Sequence, residues 1–323
     1  MNLADLGLPS LVGDLERVEQ SLDESVRNQN AYLGEVASHL LGAGGKRLRP
    51  ALCLATAYAA TGPAAAHPDA ITGASSVELV HLGSLYHDDV IDEAETRRGV
   101  PSVNARWSNI VAILAGDYLL ARASSLAASL GADVAALLAA TIGELCRGQV
   151  LELQHLFDTG RDESTYLSAI EGKTASLFAT SCRIGGMVSA ADEATLDALS
   201  AFGHHLGMCF QIVDDVLDVT ASDAELGKPS GNDLIEGVYT LPVIYSLRDS
   251  DELRDLIGRP LTPEASERAR SVVASNGAVG AALDVAKAHA KLADEALAGA
   301  GGLDLEVCNS LRRLLDDLLV RTA

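Results

Sequence analysis

Apolar residues recur along this chain at intervals of three and four, the spacing of one face of a helix. Leu11, Leu15, Val18 and Leu22 set the pattern within residues 9–28. It resumes over 31–41 and breaks at Gly42-Ala43-Gly44-Gly45, which cannot continue a helix. Pro50 suits the first turn of the next predicted helix, 51–61. A turn at 62–68 leads into a long predicted helix, 69–92, lined with small residues at Gly73, Ala74, Ser75, Ser76, Gly83 and Ser84. After a loop at 93–101, long helices are predicted over 103–130 and 132–156, then shorter ones over 163–171 and 172–188, then another long one over 192–219. Residues 220–237 read as a polar loop, and helices return at 239–248, 263–275, 277–298 and 303–321. No segment sustains the alternation of a strand. Neither long loop resembles an interdomain linker. The pattern predicts an all-α fold, a single-domain bundle of long antiparallel helices over residues 1–323.

Composition agrees with helices. Hydrophobic residues make up 48% of the chain and aromatic residues only 4%, a balance that favours packed helices over sheets. The net charge of −21 repels nucleic-acid backbones and excludes a nucleic-acid-binding role. Any anionic ligand therefore needs locally concentrated cations. Cys53, Cys146, Cys182, Cys209 and Cys308 contain no C-x-x-C spacing and read as buried free thiols of a reducing cytoplasm. The N-terminus carries acids early and is no signal peptide. No run of about 18 uninterrupted apolar residues is present, so no membrane span is expected.

Two acidic clusters change the picture. Asp88-Asp89-x-x-Asp92 and Asp214-Asp215-x-x-Asp218 each close a long apolar helix and precede a polar loop carrying cations. Residues i and i+4 share a helix face about 6 Å apart along the axis, so Asp88 and Asp92 project together, as do Asp214 and Asp218. Like charges so placed repel, and a hard divalent cation reverses the sign of that interaction. One such cluster alone reads as a solvated helix end. Asp316-Asp317 is that case, because Val stands at 320 and no basic loop follows. Two copies in matching contexts read instead as a carboxylate-rimmed cavity for Mg²⁺ ions and one diphosphate. Cations sit close by in sequence: Arg97-Arg98 after the first cluster, and Lys46-Arg47-Leu48-Arg49 on a glycine-rich turn at a helix start. His81 lies seven residues before Asp88 on the same predicted face.

In their order these motifs resemble the trans-isoprenyl diphosphate synthases, or polyprenyl synthetases. The resemblance runs from about residue 35 to 248. It comprises Gly-Gly-Lys46-Arg47-Leu-Arg49-Pro, His81, His87-Asp-Asp-Val-Ile-Asp92, Arg97-Arg98-Gly, Gly172-Lys173-Thr174, Phe210-Gln211-x-x-Asp214-Asp215-x-x-Asp218, Gly227-Lys228-Pro229 and Gly231-x-Asp233-x-x-Glu236-Gly237. It implies an isoprenoid-synthase bundle around a central cavity, a homodimer, and Mg²⁺ as cofactor at three ions per active site. The substrates implied are isopentenyl diphosphate and an allylic diphosphate. Asp88, Asp92 and Asp214 resemble the main metal ligands, supported by Asp89, Asp215 and Asp218. Arg97 resembles the allylic diphosphate ligand, with Lys173 and Lys228 beside it. Lys46, Arg49, His81 and Arg98, together with Arg47, resemble the isopentenyl diphosphate set. Thr174 and Gln211 resemble the pair that steadies the carbocation. One departure stands out: the family usually has Lys after Glu-Gly, and this chain has Val238.

Product length is expected to follow the cavity depth below Asp88. Gly83 and Ser84, one turn beneath, are small and would let a chain of C20 or longer pass. Tyr86 is bulky and would narrow the tunnel, which leaves a shorter geranyl or farnesyl product open. Three other readings fit less well: a subunit of a heterodimeric synthase, against which both complete acidic clusters speak; a terpene cyclase, which is not expected to carry the basic set; and a di-iron bundle. The last has a single Glu152-x-x-His155 spacing and no second copy.

Overall fold

The computed structural model describes residues 6–221 and 231–320. Its secondary structure is helical apart from one two-residue-per-strand hairpin. The chain groups into two compact units, the first comprising Met1–Ile142, Leu177–Gly203 and Leu297–Arg313, the second Gly143–Ser176, His204–Ala296 and Leu314–Ala323.

The first unit opens with α1 (Leu11–Val26) and α2 (Ala31–Gly42), the latter started by Asn30, whose side chain accepts from the Tyr32 and Leu33 N–H groups. The next helix, α3 (Leu48–Thr61), begins three residues before the predicted 51–61. Arg47 takes a left-handed conformation at φ 46° and so fixes the helix start, leaving Pro50 inside the first turn. Burial extends around the whole circumference of α3, from Leu48 to Ala59, which makes it a core helix. Next comes α4 (Pro68–Ile91), with His67 as its cap and Pro68 at its first position.

The predicted helix over 103–130 is two helices, a single turn α5 (Val103–Arg106) and α6 (Asn109–Ser129). The hydroxyl of Ser108 accepts from the Val111 N–H and starts α6 afresh. Against α4, α6 buries Ala112, Ala115, Gly116, Leu119, Ala123 and Ala127. Gly83 and Gly116 face each other at this crossing. A Cβ on Gly83 would lie 3.1 Å from the Gly116 carbonyl, and one on Gly116 would overlap the His87 ring. The missing Cβ of Gly83 thus lets the two backbones approach at this crossing. Gly116→Val should force the helices apart at a cost of about 2 kcal/mol, read as a lower denaturation midpoint with an unchanged m-value.

The Tyr86 expectation fails. Its ring is 0% exposed, and its hydroxyl donates to the Val36 carbonyl of α2 at 2.8 Å. A side chain that no water-sized probe reaches cannot narrow a tunnel.

From the first unit into the second runs α7 (Ala132–Gln154). Both α6 and α7 are long and apolar enough to cross a membrane by length and composition alone. The requirement for an uninterrupted apolar run missed them because Asp117 and Arg122 interrupt α6, and Glu144 and Arg147 interrupt α7.

In the second unit α8 (Glu163–Ile170) is capped by Asp162 and runs into a π turn, Glu171–Ala175; the helix that follows, α9 (Ser176–Met187), belongs to the first unit from Leu177 on. Then follows α10 (Glu193–Thr220). The predicted loop at 220–237 contains a short helix, α11 (Asn232–Glu236). Beyond it lie α12 (Leu241–Asp249), α13 (Asp251–Leu256), α14 (Pro263–Ser275), α15 (Ala278–Gly299) and α16 (Leu305–Val320). A compact core forms from Val219, Leu234, Tyr239, Val243, Leu247, Leu253, Ile257, Ala269, Val272 and Val273. It anchors the end of α10 to α11, α12 and α14. Four of the five thiols are buried, but Cys146 is exposed, contrary to expectation.

Candidate active site

In the first unit the C-terminal end of α4 gathers most of the predicted residues. Asp92 is the C-cap of the helix, its N–H bonded to the Asp88 carbonyl at 2.8 Å. Asp88 is half-buried and Asp92 exposed, whereas Asp89 is 0% exposed. The Asp89 Oδ1 atom accepts from Arg97 Nε at 2.7 Å and pairs with Nη2 at 2.6 Å. Burial pushes the Asp89 carboxyl up, against the pull of Arg97. The geometry therefore makes Asp89 the anchor of Arg97, while Asp88 and Asp92 lie on the outer side.

Arg97 belongs to a hairpin that the alternation test is too coarse to detect. Strands β1 (Thr96–Arg97) and β2 (Val100–Pro101) pair antiparallel around a two-residue turn, Arg98-Gly99. Both turn residues have positive φ, 54° and 78°, as a tight hairpin of matching twist requires. The turn carries the Arg98 guanidinium to the Leu40 carbonyl at 3.3 Å and to the Gly44 carbonyl.

The basic turn at 46–49 divides by role. Lys46 is exposed. Arg47 is buried and committed: its Nε and Nη2 donate to Glu19, and its Nη1 donates to Glu78 at 2.9 Å. The expectation that Arg47 binds diphosphate meets a guanidinium already held by two carboxylates. Arg49 stacks over the Phe178 ring at 4.9 Å, and its buried Nε has no hydrogen-bond partner. Burial pulls Arg49 down to about 10, with Arg98 adding to the effect. Burial first, then Arg49, Arg98, Arg47 and Arg97, hold the His81 imidazole well below its usual range, so it is neutral at pH 7. Glu78 lies one turn before His81 on α4, and sequence reasoning missed it. A lone Glu within an apolar stretch is the only local signal. The outcome is a half-buried, partly uncompensated cluster of cations suited to an anion.

In the second unit Thr174 sits on the π turn, a feature frequent at functional sites. Its hydroxyl donates to Gln211 Oε1 at 2.7 Å. Gln211 Nε2 donates to Asp215 Oδ1 at 2.8 Å, and Tyr166 donates its hydroxyl to Asp215 Oδ2 at 2.6 Å. Both oxygens of Asp215 are thus engaged, and burial, with Asp214 and Glu152 nearby, pushes its carboxyl up to about 7. Asp215 orients Gln211, a role like that of Asp89 for Arg97. Asp214 is half-buried. Asp218 accepts the Asp233 N–H at 3.3 Å and so ties α10 to α11. Lys173 pairs with Glu152, and His155 with Asp158 at 2.8 Å, so Glu152 and His155 serve separate partners and not one metal. Lys228 lies outside the described residues.

The donor set suits Mg²⁺. Its groups are carboxylate oxygens, hard donors one helical turn apart. Among the described residues no three His, Cys, Asp or Glu side chains converge on one point. Each cluster therefore offers one or two outward carboxylates, and Mg²⁺ commonly completes its shell with water and phosphate.

Val238 donates its N–H to the Asp233 carbonyl at 2.8 Å, and its half-buried side chain stands where a family lysine is expected. Val238→Lys should lower the Michaelis constant for an allylic diphosphate or raise turnover. Steady-state kinetics with both parameters unchanged would remove the significance given to this departure.

The polyprenyl synthetase family model matches residues 30–275. The nonaprenyl diphosphate synthase of Mycobacterium tuberculosis is 41% identical over 288 residues, 87% of this chain and 85% of that protein. The heptaprenyl diphosphate synthase component 2 of Geobacillus stearothermophilus is 44% identical over 240 residues, 74% of each chain. Among solved structures, a polyprenyl synthase from Caulobacter crescentus, complexed with calcium and isoprenyl diphosphate, superposes with a TM-score of 0.92 at 32% identity. That match covers 100% of this chain and 98% of the other. With helices almost throughout, and with both acidic motifs and the basic turn in the family's order, this chain belongs to the polyprenyl synthetase family and is a prenyltransferase.

Proposed function

We propose that this enzyme joins isopentenyl diphosphate to an allylic diphosphate, with Mg²⁺, to make a trans-polyprenyl diphosphate of C20 or longer. The observation that carries this reading is the layout of α4: one helix bears His81 among Arg49 and Arg98 and, two turns on, the outward pair Asp88 and Asp92. A cation cluster and a carboxylate pair on one helix suit two diphosphates held at a fixed separation. Relatives named for C35 and C45 products support the longer chain.

Lys46, Arg49, His81 and Arg98 would hold isopentenyl diphosphate, and Arg47 would position them through Glu19 and Glu78. Asp88, Asp92 and Asp214, supported by Asp218, would hold Mg²⁺, which supplies charge neutralisation to the allylic leaving group. Arg97, Lys173 and Lys228 would contact the same diphosphate. The allylic C–O bond breaks with its electron pair leaving on the diphosphate, the isopentenyl double bond attacks the cation, and the departing diphosphate takes the proton lost. Thr174 and Gln211 would face the developing positive charge with oxygen dipoles. Both units would act as a single catalytic domain.

We further propose a cytoplasmic homodimer. Ile110, Ile113 and Leu114 leave an exposed apolar strip on α6, which suits an interface. The likeness to a protein named component 2 favours one second reading, a subunit that pairs with a different chain. Incubating the purified protein with Mg²⁺, labelled isopentenyl diphosphate and allylic primers of C5 to C20, then sizing the products, separates these readings. Products of C20 or longer from the protein alone support the proposal. Absence of any product from every primer contradicts it.

A further inference from the structure

Outside the acidic clusters and the basic turn, three imidazoles gather in the second unit, where α10 meets α15. His204 and His205 are consecutive on α10, with ring centroids 4.9 Å apart. His289 on α15 brings its ring centroid to 5.2 Å from that of His205, and the two Nδ1 atoms are 3.0 Å apart. All three rings are half-buried. Two neutral imidazoles share one proton across this contact, one ring donating and the other accepting.

We propose that His205 and His289 form a two-nitrogen site for a borderline transition-metal ion such as Zn²⁺, Ni²⁺ or Cu²⁺, and that the ion clamps α10 to α15. Imidazole on such an ion bonds at about 2.0–2.1 Å, so two nitrogens on one tetrahedral metal stand roughly 3.3 Å apart. The observed separation is a few tenths of an ångström short of this, within reach of small ring rotations. The ion replaces the shared proton, which moves from Nδ1 to Nε2 of the donating ring, so none is released. Burial holds His205 down to about 4 and also lowers His289, so both are uncharged at neutral pH and need no deprotonation to bind. Among the described residues no third ligand converges on the pair, so water or a rotated His204 completes the shell. Nitrogen donors set this site apart from the acidic clusters: imidazole selects Zn²⁺, Ni²⁺ and Cu²⁺, whereas carboxylates suit Mg²⁺. His205 precedes Asp214 by nine residues, about 14 Å along the helix axis. Gln211 is nearer, six residues or about 9 Å along the axis, but the two sites share no residue, so the test is independent of that assignment.

The experiment uses untagged full-length protein in saturating Mg²⁺, which occupies the carboxylates. One equivalent of Cu²⁺ should give an electron paramagnetic resonance spectrum with coupling to two imidazole nitrogens. Zn²⁺ at a hundredfold excess over its dissociation constant should raise the melting temperature by about 3 °C or more. His205→Asn and His289→Asn keep a hydrogen-bonding group near the Nδ1 position but remove the ligand. Each should abolish both responses, while His67→Ala, at an exposed position, should leave them intact. Metal responses that survive both Asn substitutions, or a native protein that gives neither response, would overturn the proposal. In that event the pair is a hydrogen bond between helices and nothing more.

Discussion

Replacing Asp88 with alanine is expected to lower turnover about a thousandfold while leaving the fold intact. Asp88 sits in the last turn of α4, half-buried, with Asp92 one turn further on. Its carboxylate is therefore placed for an external charge. Removing it deletes repulsion from Asp92 together with attraction to Arg49, so the melting temperature should change by only a few degrees. A larger stability loss that accompanied the loss of activity would mark Asp88 as structural. Asp89→Ala should behave differently, because Asp89 is 0% exposed and holds Arg97. That variant should lose stability, and its kinetic defect should appear in the Michaelis constant for the allylic substrate as well as in turnover.

The second large effect concerns Glu78. Its carboxylate is buried and paired with Arg47 at 2.9 Å, with Arg49 and Arg98 nearby. Glu78→Ala would leave three guanidinium groups around His81 with less compensation. The expected cost is about 3 kcal/mol of stability, the usual result of removing one partner of a buried pair. Denaturant unfolding at pH 7 measures it. The Michaelis constant for isopentenyl diphosphate should also rise, because Arg47 and its neighbours would relax from their positions. A Glu78→Ala protein as stable as the parent would show that Glu19 alone compensates Arg47.

Much of the architecture was legible from residue spacing. Helix periodicity located nearly every long element, because an apolar stripe repeats every three to four residues whatever the partner. The misses have specific causes. The start of α3 depends on the left-handed backbone of Arg47, which no apolar pattern encodes. The 96–101 hairpin is too short to alternate. Long-range partners were invisible: Arg47 pairs with Glu19 and Glu78, 28 and 31 positions away, and Tyr166 with Asp215, 49 away. This is why the two acidic motifs looked uniform in sequence. In the structure they divide unequally: Asp89 alone is buried in the first, whereas in the second both Asp215 and Asp218 are buried and only Asp214 is half-exposed. Backbone contact was hidden in the same way. The size of Gly83 suggested a tunnel floor, and only the α4–α6 crossing shows that its missing Cβ also serves backbone contact.

The proposed reaction requires both acidic clusters to act on one leaving group. A double-mutant cycle on turnover with Asp88→Ala and Asp214→Ala tests it most directly, in Mg²⁺ with a fixed allylic primer. Groups that work as one unit are non-additive. The prediction is that each single variant loses about a thousandfold and the double variant loses little more than either one. Losses that multiply in the double variant would show two independent sites and contradict joint action on one diphosphate.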